Sequence, residues 1–359
     1  MIIAAAAAMI VLGSAAPARA ATCRHAKGPF HTSGPVVTGS TGRYIPYGIN
    51  VTGLAHQNWT DLTTAHRAEL RSTDHEDIDA IASFWCGNTV RMQVGQKNLV
   101  GSTGHVNQAF LTAVTSEVQY AESRGLVVVL NDQWQLDGHK FRDSMPTGLT
   151  EAFWGSLAAH FGKDPQVAFD LYNEPEQYVH CGWQFWHSGG RCGALTYIGM
   201  QRLADFVRAR SSNLFWVEGI GAGSTLGGAW RYHITRDGPL MYAEHRPPAP
   251  HQDRTWDQEF GYIATHGHAP VVDGEWADYA RTRAPWACWG NAPVSAPRFL
   301  NYLRARHFGL IMAQLVENQL IQSTSLTDPT HIRANWACQT GLDQGVGHQA
   351  QQWFVRRNS

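Results

Sequence analysis

The chain has 359 residues, 43% of them hydrophobic, and its 28 basic and 29 acidic residues give a formal net charge of −1. That length and apolar content are enough for a large core, and suit one barrel with insertions or two smaller domains. The charge balance leaves no electrostatic footprint for nucleic acid or an anionic membrane surface, so a neutral partner fits better.

Residues 1–21, MIIAAAAAMIVLGSAAPARAA, are apolar and then small, with Ala18-Arg19-Ala20 ahead of Ala21. This reads as a secretory signal peptide, although its first residues carry no basic side chain; a retained anchor is the competing reading. The expectation is a secreted chain whose mature part begins at residue 22. No other segment has the uncharged apolar length of a membrane span, so no stable membrane partner is expected.

Short apolar or β-branched runs then recur, each ending in polar residues, with stretches of helical spacing between them. In order they are 47–52 (YGINVT), 88–94 (NTVRMQV), 126–132 (LVVVLND), 167–173 (VAFDLYN), 214–220 (LFWVEGI), 240–245 (LMYAEH), 269–275 (APVVDGE) and 309–315 (GLIMAQL). Helices are expected between them, for example over 149–161 and 197–210. Alternating strands and helices predict an α/β fold with a parallel sheet, and eight strands are what a closed (β/α)8 TIM barrel needs. An open doubly wound sheet is the alternative. With no linker, charge block or repeat, 22–359 is expected to be a single domain and the protein a monomer.

Six cysteines follow residue 21, an even number that allows three disulfides in an oxidising compartment. Cys181 is expected to pair with Cys192 across a Gly-rich loop. The similar segments Trp286-Ala287-Cys288 and Trp336-Ala337-Cys338 suggest a second pair, and Cys23 with Cys86 follows by elimination. No close Cys or His pair has zinc-ligand spacing, and His266 with His268 lacks a converging third ligand, so no metal is expected. There is no Gly-x-Ser-x-Gly elbow for a serine hydrolase.

Barrel chemistry sits at the C-terminal ends of strands. The fourth run ends in Asn173-Glu174-Pro175 and the seventh in Asp273-Gly274-Glu275-Trp276, so two glutamates arrive at the mouth from nearly opposite strands. Glycosidic bond cleavage needs one carboxylic acid for the leaving oxygen and one carboxylate for the developing oxocarbenium ion. Either glutamate alone could cap a helix or pair with an arginine. Asp132, Glu218 and Glu244 are competing strand-end acids, and the residues by themselves leave the choice open.

The segment FWGSLAAHFGKDPQVAFDLYNEPE at 153–176 resembles the helix and strand before the acid/base of glycoside hydrolase family 5, the cellulase family. YGINVTG, Arg91 in NTVRMQV, His245 in YAEHRP and PVVDGEW at 270–276 extend the likeness from about Tyr44 to Phe354. The resemblance implies a retaining hydrolase of a β-linked polysaccharide or glycoconjugate, working by double displacement without a cofactor. It implies Glu174 as acid/base, Glu275 as nucleophile and Asn173 as donor to the sugar 2-hydroxyl, with Arg91 and His245 supporting. Physically, Arg91 should keep Glu275 ionised, whereas Glu174 has to hold a proton.

Three positions depart from the family pattern. Gln133 stands where the third strand often ends in histidine, and can donate to a sugar but not titrate. Pro247 replaces a tyrosine two residues after the histidine, and the eighth run has no tryptophan, with Ala313 nearest in register. These changes point away from ordinary cellulose specificity. Among the 14 tryptophans, several, including Trp183, Trp186 and Trp230, fall after strands, and Trp134 and Trp276 are the ones expected to stack on sugar. A barrel that binds glycan without cleaving it is the competing reading from another class.

Overall fold

A computed structural model of the chain describes residues 23–56, 58–134, 144–176, 180–235, 237–245, 255–276, 292–315, 320, 328–332 and 346–358. The expected leader, Cys288, Cys338 and Pro247 lie outside the described residues. Three short strands, β1 (His31–Ser33), β2 (Val36–Gly39) and β3 (Gly42–Tyr44), form an antiparallel sheet. Eight parallel strands then close into a barrel: β4 (Tyr47–Val51), β5 (Thr89–Gly95), β6 (Val127–Gln133), β7 (Val167–Asp170), β10 (Phe215–Glu218), β11 (Leu240–Glu244), β12 (Val271–Trp276) and β13 (Gly309–Met312). Between β7 and β10 the hairpin β8 (Gly189–Cys192) and β9 (Leu195–Ile198) stands apart from the barrel.

All eight expected runs are strands, and closure decides for the barrel over the open sheet. The runs read as continuous apolar stretches because every residue of β5, β6 and β7 is buried, as expected where one face packs inside the barrel and the other against helices. The helices carry local start signals. The side chain of Thr63 caps α1 (Thr64–Ser83) and that of Asn107 caps α3 (Gln108–Ser123), while Thr147 and Thr150 form a capping box on α4 (Gly148–Phe161). The short α2 (Gln96–Val100) follows β5 directly.

One expectation is corrected. The stretch 197–210 is not helical from its start: Tyr197 and Ile198 belong to β9, and the helix runs Met200–Arg208. Gly193, with φ +61°, turns the hairpin. At Gly199 a Cβ would lie 2.2 Å from the His187 carbonyl oxygen, so the chain passes from strand to helix through a position open only to glycine.

The barrel interior is filled by Val129, Ala168, Trp216, Ala243 and Ile311, continuous with Phe30, Val37 and Tyr44 of the N-terminal segment. Tyr44 stacks on Phe30 at 4.4 Å and its hydroxyl lies 2.9 Å from Thr89 Oγ1. The small sheet therefore closes the N-terminal end of the barrel and leaves the C-terminal end open for chemistry. Disulfides join Cys23 to Cys86 and Cys181 to Cys192, as expected, with Cα separations of 5.0 and 6.2 Å. Among the described residues no helix is long and apolar enough to cross a membrane.

Trp216 is wholly buried in this interior. Trp216→Ala should lower stability by about 3–5 kcal/mol through lost burial and the cavity left behind. A urea midpoint shifted without change of slope would register it.

Candidate active site

Arg91 organises the mouth of the barrel. It sits on β5 with no solvent exposure, and its guanidinium meets five acceptors from four strands and the loop after β7. Nε donates to Asp170 Oδ2 at 2.8 Å; Nη1 donates to Glu275 Oε2 at 3.2 Å and Asn50 Oδ1 at 3.4 Å. Nη2 donates to Asn173 Oδ1 at 2.8 Å and Glu218 Oε1 at 3.0 Å. Asp170 lies on β7, Glu218 on β10, Glu275 on β12 and Asn50 on β4, while Asn173 follows β7.

Glu174 is placed by its backbone. Its φ is +50°, a left-handed conformation that non-glycine residues adopt at a cost of roughly 1–2 kcal/mol. The turn is held on both sides. Trp134 Nε1 donates to the Asn173 carbonyl at 2.6 Å, Asn173 N–H to the Asp132 carbonyl at 3.2 Å, and Glu174 N–H to Glu218 Oε2 at 2.6 Å. The side chain then meets His245, whose Nδ1 lies 3.3 Å from Glu174 Oε1 and whose Nε2 lies 3.2 Å from Glu218 Oε1. Asn173, its Oδ1 tied to Arg91, has Nδ2 as its donor end.

Glu275 occupies the irregular part of β12, where the register against β13 shifts between Asp273 and Trp276. Its N–H donates to Asp273 Oδ1 at 3.3 Å, and its Oε2 accepts from Gln93 Nε2 at 3.2 Å as well as from Arg91. The Glu174 and Glu275 side chains are about one-fifth exposed, at 20% and 18%. Both line one cavity of about 730 Å³, together with His56, Asn58, Gln93, Gln133, Asn173 and Gln314.

The charges settle unevenly. Burial opposes the Arg91 charge, but Asp170, Glu218 and Glu275 outweigh it and hold Arg91 above the ordinary arginine value. Burial would likewise lower His245, yet Glu218, Glu174 and Glu275 hold it well above the ordinary histidine value and so favour the imidazolium. Burial would raise Glu218, but His245, Arg91 and the Glu174 N–H keep it below the usual glutamate value. Asp170 is pushed up to about 8 by burial and by Glu218, against Arg91 and His245.

Arg91 pulls Glu275 toward the anion, but it is one influence among several. Burial, with Glu174 and Glu218 adding, raises Glu275 above the usual value despite the opposite pull of His245 and Arg91. The two tryptophans expected to stack on sugar are corrected. Trp134 is 1% exposed and Trp276 0%; Trp134 stacks on Tyr172 at 6.0 Å and Trp276 on Phe299 at 6.5 Å. Strand alternation explains both, because Gln133 and Glu275 face the cavity and the next residue turns away. Trp186 is also buried, and Trp230 stacks on His268 at 3.9 Å.

The structure thus brings together Arg91, Asn173, Glu174, His245, Glu275 and Gln133, and adds Gln93, Asp170 and Asn50, which the sequence reading did not single out. Period-2 spacing from Arg91 to Gln93 was the available signal for one of them. Glu218, a competing acid by position, proves to be the carboxylate that ties Arg91, His245 and the Glu174 backbone together. Among the described residues no group of three or more His, Cys, Asp or Glu side chains could hold a metal ion.

The family model described as Cellulase (glycosyl hydrolase family 5) matches residues 47–318, spanning all eight barrel strands. The chain belongs to glycoside hydrolase family 5. No curated protein sequence matches it. Among solved structures it is similar to a β-glucanase from Saccharophagus degradans, with TM-score 0.67 and 15% identity over 97% of this chain and 99% of that one. It is also similar to a hyperthermophilic endocellulase from the archaeon Pyrococcus horikoshii, with TM-score 0.65 and 15% identity over 92% and 98%. The catalytic domain of the Thermobifida fusca endoglucanase Cel5A gives TM-score 0.62 and 16% identity over 92% and 97%. These likenesses carry the (β/α)8 barrel; the family match makes this cellulase-family member an endoglucanase-like glycosidase.

Glu218→Gln should lower the His245 titration midpoint toward 6.5, since Glu218 is the leading charge that raises it. A histidine raised on folding contributes stability that is complete below about pH 6.5 and lost as pH rises through its folded value. That loss should therefore be smaller, and complete at lower pH, in the variant. Histidine NMR titration and urea unfolding across pH would read both, and an unmoved midpoint would contradict the assignment.

Proposed function

We propose that the protein is a secreted retaining β-glycanase that cleaves O-glycosyl bonds by double displacement, with Glu174 as acid/base and Glu275 as nucleophile. The observation that carries the reading is that two partly open glutamates from opposite strands line one cavity, one against His245 and the other against Arg91 and Gln93. Glu174 gives its proton to the leaving oxygen while a Glu275 oxygen bonds to the anomeric carbon. Water then attacks that carbon, returns a proton to Glu174 and frees Glu275. Asn173, orientated by Arg91, offers Nδ2 to the hydroxyl beside the anomeric carbon, and Gln133 offers an amide to the same sugar.

A β-linked glucan is the substrate class we favour, because the Saccharophagus β-glucanase has been crystallised with cellotetraose; Gln133 and the eighth strand without tryptophan favour a glucan other than cellulose itself. Secretion is supported by the two disulfides, which persist in oxidising compartments. We take residues 22–359 as one catalytic domain acting as a monomer.

Glu174→Gln and Glu275→Gln should each cut turnover of an activated aryl β-glycoside by several orders of magnitude while leaving the fold intact by circular dichroism. NMR of the first product should show the retained anomer; inversion, or an unchanged rate in either variant, contradicts the reading. Because Glu275 is raised and must be ionised to attack, the acid limb of kcat/KM should lie above pH 4.5, the ordinary glutamate value. A pH–rate profile measures it directly.

A further inference from the structure

The hydrogen bonding of Glu275 is one-sided. Arg91 Nη1 and Gln93 Nε2 both reach Oε2, each at 3.2 Å, and among the described residues no donor reaches Oε1. Gln93 lies two residues beyond Arg91 on β5, so the pleat puts both on one face with Gln93 nearer the mouth. It is 4% exposed and lines the cavity beside Glu275. A buried amide is costly unless its polar ends are bonded, and here the donor end is bonded to the carboxylate that the proposed reaction uses.

We propose that Gln93 is a positioning residue for the nucleophile: its N–H holds Oε2, so that Oε1 is the oxygen that attacks. The inference rests on the double-displacement reading. In the first step a bond forms between Oε1 and the anomeric carbon, the bond to the leaving oxygen breaks, and the Glu174 proton goes to that oxygen. Glu275 passes from anion to neutral ester, with Oε2 becoming the ester carbonyl.

Arg91 and Gln93 respond differently to that change. The Arg91 charge favours the anion, so part of its attraction is lost as the ester forms. A neutral amide donor suits a carboxylate oxygen and a carbonyl oxygen alike. Gln93 therefore keeps the orientation through both steps without adding charge to a crowded site. Glu275 already faces Arg91 from β5, Glu174 from the end of β7, Glu218 from β10, His245 from the end of β11 and Asp273 on its own strand.

The test uses the whole protein, an activated aryl β-glycoside, and the variants Gln93→Met, which keeps the length but removes the donor, and Gln93→Glu, which keeps the shape and adds a charge. In Gln93→Met, kcat should fall about tenfold with KM little changed, and the acid limb should rise by about one pH unit, because an N–H that favoured ionised Glu275 is gone. Gln93→Glu should move the limb further, since two facing carboxylates cannot both ionise easily. Thermal unfolding checks that each variant is folded, and if one is not, the other carries the test.

A folded variant with the parent's kcat and an unmoved acid limb overturns the role of Gln93, while Glu275 stands as nucleophile if Glu275→Gln is inactive. A parent without turnover, or an active Glu275→Gln, overturns the nucleophile reading and this inference with it.

Discussion

A guanidinium with no solvent exposure has given up its hydration entirely, and in a low-dielectric interior that is tolerable only if each of its N–H groups finds an acceptor. Arginine has five such donors in a fixed planar fork. Arg91 meets Asp170, Asn50, Glu275, Asn173 and Glu218, one acceptor for each. The fork geometry converts this electrical requirement into a spatial one. Strands β4, β5, β7, β10 and β12 have to present their polar side chains at one height in the barrel, and the proposed catalytic glutamate of β12 is set by the same constraint.

Satisfying Arg91 brings more carboxylates together than one cation can neutralise. The second cationic partner is His245, whose protonated form Glu218, Glu174 and Glu275 favour. Glu218, touching both cations, takes the firmest negative charge, and that charge then works against ionisation of Asp170 and Glu275. Glu218 also accepts the Glu174 N–H and so holds a left-handed turn at the end of β7. The electrostatics of the site and the backbone geometry at Glu174 thus depend on the same two oxygens.

Much of this was legible in the sequence because barrel strands are buried on both faces and read as unbroken apolar runs, and because strand ends are where polar residues gather. Glu174, Glu275, Asn173 and His245 all stood at or just past such ends, whereas Arg91 lies in the middle of β5 and was picked out by the family resemblance. What could not be read was relative orientation. Trp276 follows Glu275 in sequence but points to the opposite face, against Phe299, and Trp134 turns from the cavity in the same way behind Gln133. The end of the hairpin strand Leu195–Ile198 was hidden at the start of an apparently helical stretch, because short strands and helix starts share apolar spacing. The raised state of Glu275 depends on burial and on Glu174 and Glu218, groups brought close only by folding.

The remaining side chains of the cavity fit this electrical economy. Gln93, Gln133, Asn173 and Gln314 are amides, each with a donor and an acceptor end and none with a charge. An amide can read a sugar hydroxyl in either sense, and a desolvated amide left unpaired by the wrong sugar costs more than a missing apolar contact, so selectivity is gained. A charged residue in the same place would also bind hydroxyls, but it would add a Coulomb term to carboxylates whose ionisation is already divided among Arg91, His245, Glu218 and Asp170. At Gln133, where the family resemblance leads to the expectation of a histidine, the proposed reading has the lining contribute recognition without a further titration. In the proposed reading the neutral Gln133 thus serves recognition, while proton transfer is left to the charged groups of the same cavity.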